Sequence, residues 1–87
     1  MIKINFLKDE SKAVAFDGET IVGLCEYIEN EEVWNIVHTE VDNNYQGQGI
    51  AKRLVECILE NAPKYNKKVV ADCSYAQKVI EKNNSKM

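Results

Sequence analysis

Cysteine, histidine, tryptophan and proline are all scarce in this chain, at three, one, one and one in 87 residues. Cys25, Cys57 and Cys73 form an odd set without CxxC spacing. That pattern fits neither a disulfide framework nor a zinc knuckle, and no metal site is expected. Reduced thiols of a cytoplasmic protein are the simpler reading. No apolar run approaches the roughly 18 residues of a membrane-spanning helix. The opening MIKINFLKDESK is too short and too charged for a signal peptide. A soluble protein without a membrane partner is therefore expected. A strong charge of one sign is also missing: eleven Lys and Arg stand against fourteen Asp and Glu, a net charge of −3. That balance argues against nucleic acid as a partner, although Lys52-Arg53 and Lys67-Lys68 are local basic pairs. No internal repeat or low-complexity stretch is present.

What the chain does have is the composition of one folded unit, with 45% hydrophobic and 29% charged residues. Residues 1–87 are read as a single domain. A domain of this size buries roughly 60–65% of its unfolded surface, so a deep enclosed cavity is not expected. Residues 2–7 and 12–16 alternate apolar and polar around Asp9-Glu10-Ser11, a hairpin pattern. Asp17-Gly18 makes the next turn, followed by a strand from Ile21 to Ile28. After Asn30-Glu31-Glu32, the branched run Val33 to Val41 makes a fourth strand. The period then changes. Ile50, Leu54 and Ile58 recur every four residues beside Ala51, Val55 and Ala62, which predicts a helix from about 48 to 61 stopped near Pro63. Lys68 to Cys73 reads as a short strand. Ser74-Tyr75-Ala76-Gln77 matches a capping box that would start a last helix. The order ββββ-α-β-α predicts an α+β fold: an antiparallel meander joined to one parallel strand-helix-strand crossover, with a cleft where the two meet.

Between the fourth strand and the first helix lies YQGQGIA, residues 45–51. Glycine tolerates positive φ and lets a ligand approach the backbone. The first amides of a helix lack internal partners and carry the positive end of its dipole, so an anion fits there. A strand-GxG-helix junction also serves as a plain turn. The stretch is neither GxxxxGK[ST] nor a full dinucleotide fingerprint.

Gln46-Gly47-Gln48-Gly49-Ile50-Ala51 resembles the Q/R-x-x-G-x-G/A signature of the GNAT superfamily of N-acetyltransferases. With HTEV before it and ADCSYA after it, the chain is similar to very small single-domain GNAT proteins over roughly residues 20–83. The resemblance implies a GNAT-like mixed sheet and acetyl-coenzyme A as acyl donor. It implies a pyrophosphate held by Gln46, Gly47, Gln48, Gly49, Ile50 and Ala51. The pantetheine arm would lie along the backbone of Thr39 and Val41, between splayed parallel strands. Lys52, Arg53, Tyr75 and Lys78 could also reach the coenzyme, although exposed basic residues on a helix are usually only a solvated face. Relative to larger GNAT enzymes, the sequence has no strands after the last helix and no helices between the first two strands. Those parts commonly shape the acceptor pocket.

Three residues are candidates for catalysis. Cys73 precedes a helix start, where the dipole favours thiolate, although a small buried apolar role is equally natural for cysteine. In the small GNAT proteins a cysteine sits at this junction near the thioester. His38 is the only histidine, and strict alternation puts it on the face of Trp34, Ile36 and Glu40. Either His38 or Glu40 could deprotonate an attacking amine, with a strand amide near Val41 holding the developing oxyanion. In the double-displacement route Cys73 would take the acetyl group first, activated by His38. Cys25, Cys57 and Trp34 are expected to be structural. The reading is an acetyltransferase acting on a small-molecule or protein amine. Its rivals are a non-catalytic coenzyme A-binding or protein-interaction module, and an α+β domain whose glycines only turn the chain. Acceptor and oligomeric state are not specified by the sequence.

Overall fold

Short polar turns join the first four strands, so each pairs antiparallel with the one before it. The computed structural model describes residues 1–72 and 74–85, the side chains of 74, 75 and 82–85 apart. The strands are β1 (Ile2–Leu7), β2 (Lys12–Asp17), β3 (Thr20–Glu29) and β4 (Val33–Val41). Then come helix α1 (Ile50–Asn61), strand β5 (Lys68–Ala71) and helix α2 (Ser74–Ser85). The strands lie in the order β1-β2-β3-β4-β5, with only β5 parallel to its neighbour. This is an α+β fold with a mixed five-stranded sheet.

One face of the sheet carries the core. Ala13, Ala15, Cys25, Trp34 and Ile36 meet Ile50, Leu54, Val55 and Ile58 of α1, and Ala76 and Val79 of α2 join the same cluster. The four α1 residues fall at i, i+4, i+5 and i+8, one stripe of the helix. Trp34 is fully buried and stacks on Tyr27 at 4.4 Å between ring centroids. It is core, as its setting in the sequence suggested. On the opposite face Ile28 and Val70 are about half exposed, while Val14 is buried.

Three local expectations from the sequence have different outcomes. α1 starts at Ile50 rather than 48, because Gly49 takes φ 77° and a left-handed residue cannot continue a right-handed helix. Gln77 donates its side-chain N–H to the Ala71 carbonyl at 2.8 Å, tying α2 to β5; the Ser74 half of the expected capping box lies outside the described residues. The third concerns β4. Glu26 pairs with His38 and Tyr27 with Ile36, so Val37 has no partner and forms a bulge. The bulge shifts the alternation by one. Thr39 and Val41 therefore continue the inward face of Trp34 and Ile36, while His38 and Glu40 turn outward.

Candidate functional site

The parallel pairing of β4 with β5 ends at Ile36–Ala71, with one more bond from the Asp72 amide to the Ile36 carbonyl at 3.0 Å. Beyond it β4 runs on to Val41 with no β5 residue beside it. Opposite this free stretch stands the N-terminus of α1. Between them is a cleft of about 550 Å³ lined by Thr39, Val41, Tyr45, Gln46, Gly47, Gly49, Ile50 and Ala51.

The loop is shaped by its glycines. Gly47 and Gly49 have φ 83° and 77°, values that cost other residues roughly 1–2 kcal/mol. A Cβ at either position would meet nothing within 4 Å, so conformation rather than crowding calls for glycine there. The Arg53 amide is the first to find a helical acceptor, the Gly49 carbonyl at 3.1 Å. The amides before it have no intrahelical partner. No side chain caps this end of α1 and its first turn holds no acidic residue. The helix thus presents bare N–H groups and an uncompensated positive dipole end at the cleft.

Upstream, Asp42 caps a 3-10 turn at Asn43–Tyr45 by accepting from the Asn44 amide at 2.8 Å. Gln46 donates to Asn43 Oδ1 at 3.1 Å, which ties the loop to this turn. Tyr45 donates its hydroxyl to Asp17 at 2.6 Å, anchoring the loop to the end of β2. This bond, and after it the N-terminal ammonium, holds the Asp17 carboxyl below the usual carboxylate range. The same bond pushes the Tyr45 phenol up.

Of the residues singled out in the sequence, the structure brings Thr39, Val41, Gln46, Gly47, Gly49, Ile50 and Ala51 to the one cleft. Thr39 Oγ1 lies 3.4 Å from the buried sulfur of Cys25, its cross-strand neighbour. Gln48 and Lys52 do not line it. His38 and Glu40 do not line it either. They meet on the outer face of β4 with Nε2 and Oε2 3.0 Å apart, both about half exposed or more. Cys73 and the side chain of Tyr75 lie outside the described residues. Tyr45 is the lining residue that motif reasoning missed. Its only local cue was its place beside Gln46, because its orientation depends on Asp17 in a distant turn. Among the described residues no three His, Cys, Asp or Glu side chains are placed to hold a metal, and no helix is long and apolar enough to cross a membrane.

A family model described as GCN5-related N-acetyl-transferase matches residues 12–87. The chain belongs to this family. Among curated relatives, protein NATD1 of Homo sapiens is 35% identical over 60 residues, covering 69% of this chain and 52% of that protein. NATD1 of Gallus gallus is 35% identical, covering 69% and 54%. The GCN5-related chain thus spans about half the length of the curated relatives it matches. Among solved structures, a GCN5-like protein from Staphylococcus aureus superposes with a TM-score of 0.72 at 32% identity, covering 95% of this chain and 81% of that one. Ard1 from Thermoplasma volcanium shares the fold, with a TM-score of 0.69 at 20% identity over 86% and 55% of the two chains.

Proposed function

We propose that this chain binds acetyl-coenzyme A in the cleft between β4 and α1 and transfers its acetyl group to an amine. One observation carries the reading: an uncapped helix N-terminus, free of acidic side chains and preceded by two positive-φ glycines, opens onto the cleft. The residues present suit the coenzyme. Within Gln46–Ala51, the amides of the residues that line the cleft, Gln46, Gly47, Gly49, Ile50 and Ala51, would hold the pyrophosphate, and the backbone of Thr39 and Val41 would receive the pantetheine arm. When bound, acetyl-coenzyme A supplies the acetyl group as a thioester.

The chain's own part in transfer falls to β4. The His38 imidazole, hydrogen-bonded to Glu40, is set to take a proton from the incoming amine. The His38 imidazolium would then return that proton to the departing thiolate, which leaves the His38–Glu40 pair as it began. Both side chains stand on the outer face of β4, so the acceptor would approach from there.

Calorimetry with acetyl-coenzyme A tests the cofactor claim, and absence of heat at about millimolar ligand would remove it. Gly49→Val should weaken binding by at least about tenfold, or 1.4 kcal/mol, with the far-ultraviolet dichroism preserved. For catalysis, His38→Ala should lower the transfer rate by about 10²–10⁴-fold while leaving coenzyme affinity intact. If the wild type binds the coenzyme but acetylates no amine in a broad panel, it is a binding module instead. Mass spectrometry after incubation with labelled acetyl-coenzyme A tests the cysteine route: an acetyl adduct on Cys73 that chases to an amine would replace direct transfer.

A further inference from the structure

Gly23 of β3 differs from the other three glycines in having no positive φ. Its place in the fold is set by space. A Cβ at Gly23 would lie 3.0 Å from the Glu40 carbonyl oxygen, 3.3 Å from Leu54 Cδ1 and 3.4 Å from Val41 Cγ2. These neighbours belong to the two elements that flank the cleft. Glu40 and Val41 are in β4, with Val41 lining the cleft directly. Leu54 is fully buried in α1, one turn after Ile50, which lines the other wall.

The three contacts would not yield equally. A Leu54 methyl can turn aside by a change of rotamer. The Glu40 carbonyl is backbone in a paired strand, so relief at 3.0 Å requires β4 itself to move by a few tenths of an ångström. We infer that Gly23 is a positioning residue for the cleft: its missing side chain lets β4 and α1 close to the separation at which Val41 and Ile50 line one binding surface. The inference rests on reading the cleft as the coenzyme site, and within that reading it concerns the arm on β4 more than the phosphates on the loop.

The test compares two ligands by calorimetry on the full chain. Acetyl-coenzyme A spans both parts of the cleft, whereas adenosine 3′,5′-bisphosphate reports on the phosphate loop without the arm. Gly23→Ala is expected to lower acetyl-coenzyme A affinity by about tenfold or more, and bisphosphate affinity by less than about twofold. If Gly23→Ala does not fold, Gly23→Ala/Leu54→Val carries the same comparison, because shortening Leu54 relieves the helix contact and leaves the carbonyl contact. An unchanged affinity for acetyl-coenzyme A, or equal losses for both ligands, overturns the positioning role. A wild type that binds neither ligand overturns the cofactor reading instead.

Discussion

Asp17 shows how a residue outside every motif shapes the candidate site. Its carboxylate accepts the Tyr45 hydroxyl at 2.6 Å, and Tyr45 forms part of the cleft wall. A carboxyl group held below its ordinary value of about 3.9 stabilises the folded state above that value. The contribution is lost as pH falls through the depressed folded value. The stability difference between wild type and Asp17→Asn should therefore be constant near neutral pH and shrink only in the acid range below about pH 4. Urea denaturation at a series of pH values checks this; a difference that persists unchanged into acid would mean the Tyr45 contact is not maintained in solution. At the same scale, His38 and Glu40 were legible as a chemically capable pair. Their facing was not, because one unpartnered valine reverses it.

Among the elements, the strands and helices were readable from alternation, period and turn residues, and their ends fell close to expectation. The bulge at Val37 was not, since a valine there looks like any other strand residue and the bulge exists only in the pairing of β3 with β4. The β3–β4 turn offers a second example. Lys67, after α1, donates to the Asn30 and Glu31 carbonyls at 3.0 and 2.6 Å and pairs with Glu29 at 3.4 Å. Its side chain is only 14% exposed. In the sequence Lys67 was just one of a basic pair. Lys67→Met should cost about 1–3 kcal/mol by removing charge-assisted bonds to that turn, measured by urea denaturation, with faster hydrogen exchange in β3 and β4 near the turn. A loss under about 0.5 kcal/mol would place Lys67 with ordinary surface residues.

Over the whole molecule, stability rests on one sheet face and one core. Domains of this kind hold roughly 5–15 kcal/mol in reserve, and a small one buries proportionally less surface. Ile58 is fully buried at the centre of α1. Ile58→Ala should cost about 2–5 kcal/mol, seen as a lower urea midpoint. If the proposed function holds, acetyl-coenzyme A at about 100 times its dissociation constant should return about 2.7 kcal/mol. That gain should raise the melting temperature of wild type and variant alike; ligand without effect on either would count against the cleft as its site.

The sequence by itself determined the order of elements, the α1 stripe that meets the sheet, and a glycine-bearing loop at a strand-to-helix junction. Those features follow from local periodicity and from backbone angles that glycine adopts at low cost. Tertiary structure alone decided which β4 side chains face the cleft, that Tyr45 is drawn into its wall by Asp17, and that a side chain at Gly23 would crowd the Glu40 carbonyl. Each of these depends on atoms brought together by strand pairing and helix packing, across separations where the sequence carries no period to read.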